Sequence, residues 1–254
     1  MGFIGHSQNQ GLGRASGLIT ASSAPYWKVI DPDPYQAAVI AAQGVKLIVR
    51  HNGIWDHDIN TTSPEDFCAR CFDSPWWASA WAFETPNEPH PGSVEFFQYC
   101  VDFANYWEKE VVVGNWSTGN EGFYVPGAKY YACHEYGFPS IMSQAGDHAL
   151  RYRNWFPAIL EQNPEAKLFI TECGVTKLVV EQVPEPEGVS CGWQKFMSAE
   201  EYVEGLREYL AQLQQDPYVI PYPALFQVGG NPDWWTFEGL HHSAVERLVL
   251  ESNS

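Results

Sequence analysis

The sequence predicts a single (β/α)8 TIM barrel, from its length, the order of its apolar and helical segments, and strands that are apolar on both faces. At 254 residues the chain is about the size of one eight-stranded α/β barrel. Runs that read as strands are Phe3–Asn9, Tyr26–Asp31, Val45–His51, Ala80–Pro86, Val111–Trp116, Tyr130–Tyr136, Leu168–Cys173 and Pro223–Val228. Eight such units come to about 32 residues each, the spacing of a βα repeat. Several strands lack a polar face, as parallel strands covered by helices must.

Between the strands, helical patterns cover Pro34–Gln43, Ser93–Glu110, His148–Asn163 and Ser198–Gln215, with a further helix over about Pro64 to Trp77. Ser93 and Ser198 are suited to N-caps, each with an acidic residue in the turn that follows. Gly and Asn crowd Ser117–Gly127, which reads as a loop. No linker or composition shift divides the chain, so residues 1–254 read as one domain.

Composition narrows the function. Hydrophobic residues at 45% against 18% charged ones exclude disorder. Fourteen basic against 31 acidic residues leave a formal charge of -17. Such a surface repels phosphate backbones and anionic lipid, so no nucleic-acid and no membrane partner is expected. A neutral ligand meets no such repulsion. No apolar run approaches the length of a membrane span, and the start, Met1 to His6, lacks the basic and apolar regions of a signal peptide. Export after processing, or as part of a longer chain, stays open beside a cytoplasmic location. Six scattered cysteines do not form a disulfide framework, and Cys68-x-x-Cys71 has no second pair to complete a zinc site.

A barrel builds its active site where the strands end. The residues there are polar, aromatic or ionisable: Gln8, Asn9, Asp31, Arg50, His51, Asn87, Glu88, Asn115, Trp116, His134, Tyr136, Glu172 and Gln227. One shared cleft would explain that concentration. Breaking a glycosidic bond with retention requires two carboxyl groups about 5 Å apart, one protonated and one ionised. Strands four and seven end on opposite sides of a barrel mouth, which can face Glu88 and Glu172 across such a gap. Of two adjacent carboxylates, the more buried or like-charge-crowded one is expected to keep its proton.

Asn87-Glu88-Pro89 ending strand four, with Glu172 ending strand seven, resembles the signature of retaining β-glycosidases of clan GH-A. The resemblance extends over the whole chain in strand order, and its specific part is a handful of residues. It implies a glycoside hydrolase, with residues 1–254 as its catalytic domain and an oligo- or polysaccharide substrate. Glu88 would be the general acid/base, Glu172 the nucleophile, and Asn87 a ligand of the sugar 2-hydroxyl. The family places a Tyr on strand six against the nucleophile and a His beside it, which correspond to Tyr136 and His134. Arg50 and His51 would orient the nucleophile or contact sugar hydroxyls. Glu84, on the same strand as Glu88, is expected to be deeper and structural.

Sugar rings stack on indoles through their C–H faces. Trp116, Trp234 and Trp235, together with Gln227, are therefore candidate substrate contacts, whereas Trp76, Trp77 and Trp107 fall in helical stretches that pack on the barrel. Strand eight departs from the family: it ends Phe226-Gln227-Val228-Gly229 where a Trp is usual. Loops short for a barrel suggest an open groove and endo action on a β-linked polymer.

Other signals are set aside. Gly11-x-Gly13-x-x-x-Gly17 has the wrong spacing for a dinucleotide fingerprint and follows too polar a strand. Asp56-His57-Asp58 and His241-His242 lack suitably spaced partners. Neither a cofactor nor a metal is expected. The alternatives are a non-catalytic carbohydrate-binding barrel and a metal-dependent barrel hydrolase.

Overall fold

The computed structural model describes residues 2–8, 11–52, 62–89, 93–117, 120–180, 191–230 and 232–253, with the side chains of 232–234, 252 and 253 left out. Its strands are β1 (Ile4–Gln8), β2 (Tyr26–Ile30), β3 (Lys46–Arg50), β4 (Ala80–Glu84), β5 (Glu110–Trp116), β6 (Tyr130–Gly137), β7 (Lys167–Val175) and β8 (Ala224–Leu225). All pair in parallel in sequence order, and β8 closes the ring onto β1. This is the (β/α)8 barrel that the strand spacing predicts.

The helices are α1 (Gly11–Ser22), α2 (Pro34–Ala41), α3 (Pro64–Asp73), α4 (Val94–Tyr106), α5 (Phe156–Gln162), α6 (Ala199–Leu213) and α7 (Ser243–Asn253). Their starts follow from local chemistry. Ser63 caps α3 with Pro64 beginning the helix, Ser93 accepts from the Phe96 amide, and Ser198 and Glu201 cap each other reciprocally at α6. On α4 the buried residues Phe96, Phe97, Cys100, Val101 and Ala104 form one helical stripe facing the strands.

Three helical assignments change, one of them the added helix α7, which follows the last expected strand. The expected helix over His148–Asn163 is divided into a 3-10 turn, Arg151–Asn154, and α5, whose first turn contains Pro157. A proline nitrogen cannot carry a helical hydrogen bond back into the preceding turn. Helix α1 was hidden by its glycines, which are poor helix formers. Gly11 is there for packing: a Cβ on it would lie 1.4 Å from the Gly229 carbonyl oxygen.

Inside the ring, Ile48, Ala82, Val112, Ala132 and Phe169 form an apolar layer. Outward residues such as Val49, Phe83, Val113, Cys133 and Ile170 join the larger core beneath the helices. All six cysteines are buried, and the Cys68 and Cys100 sulfurs lie 3.7 Å apart, beyond bonding distance. Among the described residues no helix is long and apolar enough to cross a membrane.

Two bulges break strand alternation just below the mouth. Gly114 pairs with Ala132 but Trp116 pairs with Cys133, so Asn115 is an extra residue on β5. Likewise Ile170 pairs with Cys133 and Glu172 with His134, so Thr171 is extra on β7. Each insertion reverses the faces that follow it. The bulges also meet, because the Thr171 hydroxyl donates to Asn115 Oδ1 at 3.2 Å and the Asn115 amide donates to the Thr85 carbonyl at 2.7 Å.

The β5 bulge requires glycine. Gly114 has φ +108°, and a Cβ there would approach the Trp116 ring to 2.3 Å. Gly114→Ala is expected to lower the unfolding free energy by about 2 kcal/mol or more, measured by urea denaturation. An unchanged midpoint would show that the bulge tolerates a side chain.

Candidate active site

The β7 bulge turns Glu172 inward. On a regular strand, Phe169 facing in would make Thr171 face in and Glu172 face the helices. Inside, the Glu172 side chain is only 8% exposed. Arg50 Nη1, from the end of β3, donates to its Oε1 at 3.0 Å, and the Tyr136 hydroxyl, from β6, donates to Oε2 at 2.9 Å. His134 Nδ1 lies 3.6 Å from Oε2, and His6 Nδ1, from β1, lies 3.4 Å from Oε1. Burial alone would raise the pKa of Glu172, but the surrounding His134, Arg50, His6 and Lys28 outweigh it and hold the carboxyl well below its ordinary range. The expectation that the more buried carboxylate keeps its proton is therefore reversed, because the cations lie on the buried side.

Glu88 follows β4 with φ +39° and a side chain 31% exposed. Its Oε1 lies 2.9 Å from His134 Nδ1. A carboxylate oxygen from each of Glu88 and Glu172, with a ring nitrogen of His134, lie within 4.8 Å of one another. Arg50 also donates to Asn87 Oδ1, so one guanidinium ties the Asn87 amide to Glu172. The structure thus brings together Arg50, Asn87, Glu88, His134, Tyr136 and Glu172.

Below this group lies a second ion pair, Lys28 with Glu84, both fully buried. Glu84 is deeper than Glu88, as expected, with none of its surface exposed. Burial, opposed by Glu84, lowers the Lys28 pKa to about 8. Neither Lys28 nor His6 was foreseen, since each reads in sequence as a lone polar residue in a short strand.

The aromatic candidates separate. Trp116 is 1% exposed and packs outside the ring against Phe97, Phe123, Tyr131 and Trp155. It is not a sugar platform, because the Asn115 bulge sends it to the helix side. Gln227 is also corrected: it is 1% exposed, with its amide against the Gly230 backbone, and presents no surface to a ligand. Trp235 is 51% exposed beyond β8, with Lys195 Nζ 4.6 Å from its ring centre. The Trp234 side chain lies outside the described residues, as do Asn9 and Asp56-His57-Asp58. His51 is half-buried at the exit of β3. Just after β8, Phe226 sets its ring 5.1 Å from that of His6 and 6.4 Å from that of Tyr136.

Glu88, His134 and Glu172 are also the one group of three among the described residues whose atoms could hold a metal ion. Both Glu172 oxygens already accept hydrogen bonds, and Arg50 and Lys28 oppose a further positive charge there.

No protein-family model matches the sequence, and no curated protein does. Solved structures do. A GH113 β-1,4-mannanase matches at 11% identity and TM-score 0.59, over 100% of this chain and 99% of that one. A Ruminococcus gnavus β-glucuronidase in complex with uronic isofagomine matches at 11% identity and TM-score 0.60, over 89% and 45%. An FMN-binding β-glucuronidase from Facaelibacterium prausnitzii L2-6 matches at 12% identity and TM-score 0.56, over 89% and 38%. The chain thus spans less than half the length of either glucuronidase. At these identities the comparison establishes the barrel fold.

The buried pair beneath the site gives a direct test of its energetics. Removing one partner of such a pair leaves an uncompensated charge, at a cost of about 3–5 kcal/mol. Lys28→Met should destabilise the fold by that order in urea denaturation, and Lys28→Met with Glu84→Met should recover much of the loss. A single variant as stable as the parent would show that the two residues do not pair.

Proposed function

We propose that this barrel is a retaining β-glycoside hydrolase of the clan GH-A type. The observation that carries the reading is the pair of carboxylates facing each other within 4.8 Å, the inner one held ionised and the outer one more open to solvent. Retaining enzymes hold these groups about 5–5.5 Å apart, while inverting ones leave about 6.5–9.5 Å for a water.

The steps follow from the geometry. Glu172 attacks the anomeric carbon while protonated Glu88 gives its proton to the departing glycosidic oxygen. A glycosyl ester forms on Glu172 and the first product leaves. Glu88, now a carboxylate, takes a proton from water, which attacks the same carbon and releases Glu172. Two inversions restore the β configuration. Arg50 and Tyr136 keep the nucleophile oriented, and the Asn87 amide, held through its oxygen by Arg50, would bind the sugar 2-hydroxyl. Trp235 is an exposed aromatic surface open to a sugar face, with His51 and Trp234 as further contacts. Endo action on a neutral β-linked polymer is the finer form of the proposal. The full-length match to a mannanase makes β-1,4-mannan the first polymer to test.

The experiment is reducing-end release from mannans, β-glucans, xylans and chitin-type polymers. Loss of a general acid/base lowers the rate by about 10²–10⁴-fold, the effect expected for Glu88→Gln, and Glu172→Gln should fall to background. Turnover should persist in a chelator. Release undiminished in Glu172→Gln would contradict the proposal, and abolition by chelator would favour a metal-dependent hydrolase. Binding without release on any polymer would favour a carbohydrate-binding barrel.

A further inference from the structure

We propose that His6 is a positioning residue for Glu172, presenting its Nδ1–H to the Oε1 oxygen of that carboxylate. This rests on the retaining-hydrolase reading above. His6 lies on β1 opposite Lys28 of β2, and its side chain is completely buried. Among the described residues neither of its ring nitrogens has a hydrogen-bond partner at standard geometry. A buried donor left unmet is unfavourable. The acceptor facing it is Glu172 Oε1, 3.4 Å from Nδ1. A closer approach of a few tenths of an ångström would complete the bond, and catalytic hydrogen bonds often tighten when substrate binds.

The contact completes a symmetric hold on the nucleophile. Oε1 would receive Arg50 and His6, from β3 and β1, while Oε2 faces Tyr136 and His134, both from β6. With donors on both oxygens, the carboxylate cannot rotate away from the sugar as the ester forms. The edge of Phe226 against the His6 ring limits the imidazole in turn.

The groups around this pair are Lys28 on β2, Arg50 on β3, Glu84 on β4, Glu88 just after it, His134 and Tyr136 on β6, and Cys173 beside Glu172. Burial pushes the His6 pKa well below its usual value; Glu172 opposes this, and Lys28, Arg50 and His134 add to it. The ring is therefore neutral at working pH, with one N–H and one lone pair. A lone pair aimed at a carboxylate would repel it, so the proton belongs on Nδ1.

Nitrogen NMR of protein labelled with ¹⁵N-histidine tests this without reference to turnover. The expected result is a neutral Nδ1–H tautomer for His6 between about pH 5 and 8. An Nε2–H tautomer or an imidazolium would overturn the proposal. Kinetics supply the second readout, through His6→Leu, which removes the donor, and His6→Asn, whose amide N–H replaces Nδ1–H. Losing a hydrogen bond to a charged group should lower kcat by about 10–100-fold, with KM little changed. The acid limb of kcat/KM should move to higher pH, because the ionised nucleophile has lost a donor. His6→Asn should restore most of both. A purely structural role would lower the Tm of both variants and leave the acid limb in place, and a folded His6→Leu with parental kcat and acid limb would also overturn the proposal. Wild-type protein that hydrolyses nothing but shows the Nδ1–H tautomer would remove the hydrolase reading and leave the contact supported.

Discussion

The ionised carboxylate of Glu172 is the constraint on which the rest of the site depends. Taking such a charge out of water costs several kcal/mol unless it is paired and hydrogen-bonded. The barrel meets that demand from three directions, with His6 on β1, Arg50 on β3, and His134 and Tyr136 on β6. Lys28 adds a buried positive charge beneath them and requires Glu84 as its own partner. This linked set of charges sits above an interior layer of Ile48, Ala82, Val112, Ala132 and Phe169.

The arrangement is positioned by one extra residue in each of two strands. Regular alternation would point Glu172 into the apolar layer under the helices and Trp116 into the ring. The insertions at Asn115 and Thr171 reverse both, and those two side chains hydrogen-bond to each other behind the site. The bulges therefore set which side chains face the barrel mouth.

Much of this was legible in the sequence. Strand positions followed from apolar runs because parallel strands covered on both faces must be apolar, and the caps Ser93 and Ser198 marked helix starts. Asn87-Glu88 and Glu172 were visible because strand ends define a barrel mouth. What was hidden has physical causes. A bulge has no composition signature, so Trp116 seemed to line the mouth when it belongs to the outer core. Helix α1 was masked by glycines that serve its contact with Gly229. His6 and Lys28 show their importance only when the ring closes and sets them beside charges distant in sequence. Phe226, just after β8, sets its ring against those of His6 and Tyr136, contacts that its place in the sequence does not reveal.

The central claim is that Glu172 becomes covalently attached to the sugar. Its most direct test is mass spectrometry of the protein after incubation with an activated 2-deoxy-2-fluoro-β-glycoside of the sugar that the enzyme releases. The fluorine slows hydrolysis of the intermediate more than the departure of a good leaving group. The account predicts one glycosyl unit per chain, on the peptide containing Glu172. Attachment to Glu88, or turnover of the native glycoside with inversion and no labelled peptide, would contradict it.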